Sequence, residues 1–263
     1  MHCPIDDEGH YIKIHTIIAS GEATVVVQRG DVAIKMAIVY KNYTLERVED
    51  NRERIRREQE VWRRIQPDFD LPVEGIVPCL DLPGDTIEMR YMSGGTLANR
   101  LKHRAPPSIE LQKRWFRQLA IGLHNLHQRR VIHSDLLSRN ILLDDSSNVV
   151  IADLGASSIM PMDTVMADAV DEYNCSIWTD LCQLGLVFYE IVTGRHTGIR
   201  LYHSGGTDDS VAVFPSRDKL PTLDKRIWAR DIIETCWKKG GYGAVGAAGI
   251  LAKLDKMQGP RRR

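Results

Sequence analysis

The chain has 263 residues, of which 43% are hydrophobic and 27% charged, the composition of a globular protein with a sizeable core. Lysine plus arginine and aspartate plus glutamate number 35 each, and this zero net charge argues against a general nucleic-acid or membrane-surface binder. The longest apolar runs are too short to cross a bilayer.

The first part of the chain is predicted to be mostly β-structure. Residues 11–40 contain "ATVVVQ" and "DVAIKMAIVY", which are rich in β-branched residues, and the intervening "RGD" suits a hairpin turn. Residues 44–66 predict a charged helix with a sparse apolar stripe and many Glu–Arg pairs at i,i+4 spacing. The segments "GIVPCLDL" and "DTIEMRYM" predict two further strands, and "SGGTLANRL" then predicts a turn into a short helix.

From about residue 108 the sequence is predominantly helical. Apolar residues at helical spacing predict an amphipathic helix that reaches His127. Residues 141–152 predict short strands, and "WTDLCQLGLVFYEIVTGR" is apolar almost all round, which predicts a buried helix closed by Gly194. "RIWARDIIETCW" predicts another helix. Residues 196–221 are rich in Gly, Asp, Ser and Pro and predict a long surface loop.

The cysteines give an indication of the compartment. There are five, an odd number, at positions 3, 79, 175, 182 and 236, and no two form a CxxC pair. The opening "MHCPIDDEGHYIK" lacks the features of a signal peptide. We therefore expect a reduced, cytoplasmic setting.

One stretch combines apolar ends with a polar centre. This stretch, "VIHSDLLSRNILLD" at 131–144, lies at the start of the helical part, and "IADLG" follows it. Side chains of the Asx type often cap turns, which is the simplest interpretation of these aspartates and of the asparagine. The polar residues of the two segments are His133, Asp135, Arg139, Asn140 and Asp153.

Six segments in order resemble the eukaryotic protein kinase family. "VAIK" is identical to the family's third-strand lysine motif, "REQEVWRRI" resembles the helix whose glutamate pairs with that lysine, and "HSDLLSRN" resembles the catalytic loop His-Arg-Asp-Leu-x-x-x-Asn. "IADLG" resembles Asp-Phe-Gly, "IEMRYMSGGTL" the segment joining two lobes, and "TDLCQLG" the start of the buried helix under the catalytic loop. The resemblance implies an α+β, two-lobed fold in a single kinase domain of residues 1–263, with lobes at about 11–92 and 93–258.

The resemblance implies that ATP and Mg²⁺ are used to phosphorylate a protein hydroxyl. Lys35 would hold the nucleotide phosphates and Glu58 would hold Lys35, although Glu53 and Glu60 on the same helix remain alternatives. Asp135 would orient the substrate hydroxyl and accept its proton.

The same resemblance assigns the metal and the nucleotide. Asn140 and Asp153 would provide oxygen ligands to Mg²⁺, whereas Arg139 would stabilise the transferring phosphate. His133 would be a packed structural residue. The nucleotide would lie against a set in which Met89 guards the back of the pocket. This set is Gly21, Val26, Ala33, Lys35, Met89, Tyr91, Met92 and Leu142.

The sequence departs from the family pattern in four places. Ser134 replaces the arginine of His-Arg-Asp, Leu154 replaces the phenylalanine of Asp-Phe-Gly, and "ASGEATVVV" keeps only Gly21 of the glycine-rich loop, so we expect weakened nucleotide binding. Asp168 occupies the place of the glutamate in Ala-Pro-Glu, and its usual arginine partner is missing. Because a serine cannot form a bidentate pair with phosphate, we expect activity not to depend on phosphorylation of the loop between Asp153 and Asp168.

Three functions remain open. A protein kinase that favours serine or threonine over tyrosine is the first, and a pseudokinase that keeps the fold as a nucleotide-binding or scaffold module is the second. A small-molecule phosphotransferase is the third, and "DLG" and "TDLCQLG" disfavour it. The partners expected are ATP and a protein substrate, with neither nucleic acid nor membrane. The sequence indicates neither the substrate, nor the pathway, nor the oligomeric state.

Overall fold

The computed structural model describes residues 4–5, 9–201 and 211–258. Cys3, which belongs to the cysteine pattern above, lies outside this part. The chain divides into two compact units, the first formed by residues 1–73 and 77–93 and the second by residues 74–76 and 94–263. The first unit is rich in strands and the second in helices, which confirms the predicted α+β class.

The first unit contains an antiparallel sheet of five strands in the order β1-β2-β3-β5-β4. The "RGD" turn is a two-residue hairpin in which Arg29 pairs with Val32, and Gly30 takes the positive φ of 59° that such a turn requires. The strands are β1 (Ile17–Ser20), β2 (Thr24–Arg29), β3 (Val32–Ala37), β4 (Cys79–Asp81) and β5 (Thr86–Arg90).

The single long helix described in the first unit is α1, Leu45–Ile65. The side chain of Thr44 caps it by accepting the N–H of Arg47, so the helix begins and ends within one residue of the predicted range. Its sparse apolar stripe is fully buried at Ile55 and Trp62, and packing of this stripe positions the polar residues that share the same face.

The helices of the second unit are α2 (Leu97–His103), α3 (Ile109–Gln128), α4 (Ile177–Thr193), α5 (Arg230–Cys236) and α6 (Ala248–Gln258). As predicted, α4 is buried almost throughout and Gly194 closes it in the left-handed conformation at φ 68°. Phe116 of α3 stacks on Phe188 of α4 with ring centroids 3.7 Å apart. This α3–α4 core supports the short strands that carry the polar residues.

Those short strands form two small sheets. β6 (Gly95–Thr96), β8 (Ile141–Leu143) and β9 (Val149–Ile151) make one, and β7 (Val131–Ile132) pairs with β10 (Ser158–Ile159) in the other. The loop between β7 and β8 is therefore held at both ends by strands.

Residues 74–76 belong to the second unit although they lie between two segments of the first. The carbonyl of Gly75 accepts the N–H of Ile151 at 2.9 Å, and the side chain of Asn125 donates to the carbonyl of Glu74 at 2.9 Å. Gly75 lies against Gly122 of α3 so closely that a Cβ built on Gly75 would meet the Cα of Gly122 at 2.5 Å. Two glycines are therefore required at this contact.

Two predictions about the C-terminal part need correction. The segment 196–221 is not purely a surface loop, because Leu201, Ala212 and Leu220 are buried at its described ends, while residues 202–210 lie outside the described part. Helix α6 was not predicted, because the glycines and alanines before it mask the helical spacing of its buried residues Ile250 and Leu254. Within the described residues, no helix combines the length and apolar character needed to span a membrane.

Candidate active site

Lys35 and Glu58 form a buried ion pair in the first unit. The lysine lies on β3 and the glutamate on α1, their side chains are 8% and 2% exposed, and Nζ lies 2.5 Å from Oε2. The alternatives are placed elsewhere, since Glu53 pairs with arginines of its own helix and Glu60 is exposed. Because burying two charges costs free energy that their attraction only partly returns, such a pair indicates a role beyond stability.

The strand register places several expected nucleotide contacts on one face of the sheet. Val26 lies opposite Lys35, Ala33 lies opposite Met89, and Ala33 and Lys35 are two residues apart on β3, so all four side chains share a face. Beyond β5, Tyr91 is half-buried and donates its N–H to the carbonyl of Asp31, and Met92 is buried. Leu142 lies on β8 in the second unit.

The amide of Gly21 takes part in a backbone hydrogen bond. Its N–H donates to the carbonyl of Thr24 at 2.8 Å within the turn between β1 and β2. Its φ is not positive, and a Cβ there would find its nearest neighbour at 3.9 Å. This turn therefore does not use the conformational freedom of glycine.

Asp135 lies at the centre of a polar network in the second unit. The amide nitrogen of Asn140 donates to both the carbonyl and Oδ2 of Asp135, at 2.8 Å each. Nη2 of Arg139 donates to Oδ2 at 2.8 Å and to Oδ1 at 3.1 Å. The Asp135 side chain is 24% exposed, so its carboxylate is oriented by two neighbours and still faces solvent.

The backbone of this loop is fastened to α4. The carboxylate of Asp180 accepts the N–H groups of His133 and Ser134 at 2.8 and 2.9 Å. Gln183 accepts the N–H of Leu136 at 3.0 Å and donates to the carbonyl of Ser134 at 2.9 Å. Ser134 has φ 70°, a conformation costly for a non-glycine residue, and these bonds hold it there.

The sequence pattern did not identify Asp180 and Gln183 as site residues. A signal was present, because both are polar, lie three residues apart and occur in a helix that is predominantly apolar. Buried polar side chains need hydrogen-bond partners, and an unpaired loop backbone provides them.

His133 is a structural residue of the loop. Its ring is fully buried, Nδ1 accepts the N–H of Asp135 at 3.3 Å, and Nε2 therefore carries the hydrogen and donates to the carbonyl of Ala152 at 3.2 Å. A neutral imidazole held between two backbone groups ties the loop to the segment before Asp153.

Asn140 and Asp153 are brought together through Ala152. The N–H of Ala152 donates to the carbonyl of Asn140 at 2.9 Å, which places the next residue, Asp153, beside this asparagine. Asp153 takes φ 60°, and such strain is concentrated at functional sites. Both donors of Asn140 point to Asp135, which leaves its amide oxygen as the atom that could face a metal.

This donor set fits Mg²⁺. The described residues contain no group of three or more His, Cys, Asp or Glu side chains that could hold a metal by themselves. A single carboxylate with one amide oxygen suits an ion that prefers oxygen and takes its other ligands from water and phosphate.

The segment after Asp153 is held by its own side chains. The hydroxyl of Ser157 donates to the carbonyl of His133 at 3.3 Å, and that of Ser158 donates to Oδ2 of Asp171 at 2.5 Å. Oδ1 of Asp171 accepts the N–H groups of Tyr173 and Cys175 at 2.9 and 2.7 Å. Asp168, at the place of the family's glutamate, is exposed.

Comparison with known proteins gives the family. The protein kinase domain model matches residues 12–200. The chain is 32% identical over 133 residues to mitogen-activated protein kinase kinase kinase dlk-1 of Caenorhabditis elegans, covering 46% of this chain and 14% of that protein. It is 29% identical over 193 residues to dual specificity protein kinase pyk3 of Dictyostelium discoideum, covering 68% and 14%.

Another relative is the serine/threonine-protein kinase Nek3 of Mus musculus, 29% identical over 126 residues, covering 42% of this chain and 24% of that protein. The matched regions thus span less than a quarter of the length of these relatives. The family model covers more than two thirds of the chain, and the structure has the β-rich and helical parts that the resemblance implied. The chain belongs to the protein kinase domain family.

Proposed function

We propose that the chain is a Mg²⁺- and ATP-dependent protein kinase that transfers the γ-phosphoryl group to a protein hydroxyl, with serine or threonine favoured over tyrosine. The observation that carries the proposal is the Asp135 carboxylate, which Asn140 and Arg139 orient on a loop fastened to α4. Phosphoryl transfer depends on positioning and charge stabilisation, and a pre-oriented carboxylate supplies the first of these.

Asp135 would hold the substrate hydroxyl and accept its proton as the oxygen attacks phosphorus. Its base function requires an accessible oxygen. Arg139 is 51% exposed, so releasing one of its contacts with the carboxylate costs little. The released guanidinium would remain beside the reacting oxygens and would balance charge on the transferring phosphoryl group.

Lys35 would contact the nucleotide phosphates, with Glu58 directing its ammonium group. Mg²⁺, bound by Asp153 and the amide oxygen of Asn140, would neutralise phosphate charge. The apolar face formed by Val26, Ala33 and Met89 would receive the adenine, and Tyr91 and Met92 follow directly after β5.

A reducing, cytoplasmic location agrees with the cysteines. The four that the structure describes form no disulfide with one another and are buried. Burial raises the pKa of the Cys79 and Cys182 thiols to about 12, so they remain protonated and unreactive at neutral pH.

The alternative is a pseudokinase, and the glycine-poor turn between β1 and β2 favours it, because the Gly21 amide is occupied within that turn. One experiment separates the kinase from the pseudokinase. The purified chain is incubated with Mg²⁺ and labelled ATP, and both autophosphorylation and labelling of a generic protein substrate are measured.

The first prediction concerns Asp135→Asn. We expect this variant to lower kcat at least about a hundredfold, roughly 2.7 kcal/mol of barrier, and to leave ATP affinity nearly unchanged. Asp145→Asn, an exposed aspartate ten residues along the chain, serves as the matched control and should keep wild-type rates. Absence of any transfer by the wild type, with ATP binding intact, would favour the pseudokinase.

A further inference from the structure

A groove of about 600 Å³ within the second unit begins at the Asp135 loop. Leu137, Ser138 and Arg139 form one end, and Arg139 is the residue that contacts the Asp135 carboxylate. A substrate peptide whose hydroxyl reaches Asp135 would therefore have this groove beside it. Our inference rests on the proposed function and concerns the kind of peptide that the groove accepts.

The walls of the groove are basic. Lys102 of α2, Arg139 of the loop and His196, which follows α4, all line it with exposed side chains. The chain segments that contribute Lys102 and His196 to the lining, residues 94–104 and 191–201, contain four further arginines and no acidic residue. In a chain with zero net charge, this is a local concentration of positive charge.

Among the described residues, one carboxylate lines the groove, and it is already paired. Glu190 of α4 has a side chain that is 9% exposed, and its Oε1 lies 2.5 Å from Nδ1 of His196. Cations of a bound peptide would have to compete with His196 for this carboxylate. The exposed Lys102 and Arg139, by contrast, both line the groove and would attract negative charge.

The groove also has an apolar floor. Leu101, Leu186, Val187 and Ile199 are among its lining residues. An occupant that is only a polyanion would leave this floor exposed to water, whereas a peptide with acidic and apolar side chains would cover it. The combination favours a peptide over a nucleic acid.

We propose that this groove binds an acidic peptide segment next to the phosphoacceptor, so that the chain phosphorylates hydroxyls flanked by aspartate or glutamate. Lys102 and Arg139 provide the electrostatic selection, and the floor provides the apolar contact. Complementary charge raises both the association rate and the specificity.

The test measures binding and does not depend on catalysis. Three fluorescent peptides carry alanine at the acceptor position and have flanks that are acidic, neutral or basic, and their anisotropy is followed with the full chain. We expect the acidic peptide to bind at least tenfold more tightly than the basic one. The preference should shrink as salt rises from about 50 to 500 mM, because screening weakens exposed charge pairs.

Charge reversal locates the site. Lys102→Glu should reduce the acidic preference at least fivefold, and the control Lys225→Glu, an exposed lysine outside the groove, should leave it within twofold. Peptides with serine restored at the acceptor position should then show the same order in kcat/KM.

The inference is overturned if the basic peptide binds as tightly as the acidic peptide or more tightly. It is also overturned if an oligonucleotide with the same charge as the acidic peptide binds more tightly and displaces that peptide. Transfer to generic substrates with a basic preference would leave the proposed function standing and this inference wrong. Acidic binding without any transfer would support the groove and contradict the kinase proposal.

Discussion

At the scale of single residues, Gln183 shows how the site is built. Its one side chain accepts from Leu136 and donates to Ser134, so it fixes the backbone on both sides of Asp135. It contacts no atom of the proposed reaction and therefore acts as a positioning residue. Asp180 performs the same task one turn earlier through His133 and Ser134.

The second prediction tests this positioning role. Gln183→Leu leaves a buried N–H and a buried carbonyl without partners, which should cost about 2–4 kcal/mol of stability. Because the loop is then less well oriented, we expect kcat to fall at least tenfold at a temperature well below Tm, with KM for ATP within about twofold.

Gln118→Leu is the matched control. Gln118 also makes two hydrogen bonds, to Asn148 and Val149, but lies away from the loop. Both variants should lower Tm, and only Gln183→Leu should lower kcat. An equal kcat for the two variants at matched folded fraction would contradict the positioning role.

At the scale of elements, the segment after Asp153 is ordered by a carboxylate. Asp171 accepts the hydroxyl of Ser158 and two backbone N–H groups, so one side chain links β10 to the turn before α4. That activity does not depend on phosphorylation of this segment stays a prediction.

The third prediction concerns Ser158. The triple variant Ser157→Ala, Ser158→Ala, Thr164→Ala should keep its activity within a few-fold, and phosphatase treatment of the wild type should change little. Ser158→Asp should lower activity at least tenfold, because two carboxylates would then meet where a hydroxyl had donated.

Adding Asp171→Asn to Ser158→Asp should restore part of the activity, since an amide can donate to the new carboxylate while Oδ1 still accepts from Tyr173 and Cys175. If phosphatase treatment lowered the activity tenfold or more, and the triple variant showed the same loss, the segment would be regulated by phosphorylation. Arg139 and Arg117 would then be tested as the residues that bind the phosphate.

The fourth prediction concerns the contact between α3 and residues 74–76. In an ordinary helix, alanine stabilises by about 1 kcal/mol relative to glycine. At Gly122, however, a Cβ would clash with the carbonyl oxygen of Gly75, and this steric cost outweighs the gain in helix propensity. We expect Gly122→Ala to cost about 1–3 kcal/mol and to lower Tm by several degrees.

Gly21→Ala is its control, because a Cβ there has no neighbour closer than 3.9 Å and φ is not positive. Calorimetry of the two variants should show a drop in Tm for Gly122→Ala alone. A Gly122→Ala protein as stable as the wild type would mean that the segment shifts away without cost.

At the scale of the whole molecule, ligand binding and folding are linked. The fifth prediction is that ATP with Mg²⁺ raises Tm, because a ligand that binds only the folded chain stabilises it by mass action. Asp153→Asn should remove the Mg²⁺-dependent part of the shift. The same shift with EDTA as with Mg²⁺ would show that Asp153 holds no metal.

Much of this fold could be predicted from the sequence, because strand and helix periodicity is a local property. The helices α1, α3 and α4 and the hairpin at Gly30 follow from that periodicity. The site residues came from motifs. Helix α6 and the roles of Asp180 and Gln183 could not be predicted. Small residues mask the helical spacing of α6, and the roles of Asp180 and Gln183 depend on contacts with distant parts of the chain.

The fastening of the loop to α4 also bears on when this loop becomes ordered during synthesis. The backbone groups of residues 133–136 find their partners 46 to 49 positions later, on Asp180 and Gln183. A nascent chain that has emerged only as far as β10 has all the residues of the loop but lacks the Asp180 and Gln183 side chains that bond its backbone. The order of translation thus delays full ordering of the loop until α4 has left the ribosome and packed, and fragments ending before α4 lack these backbone contacts.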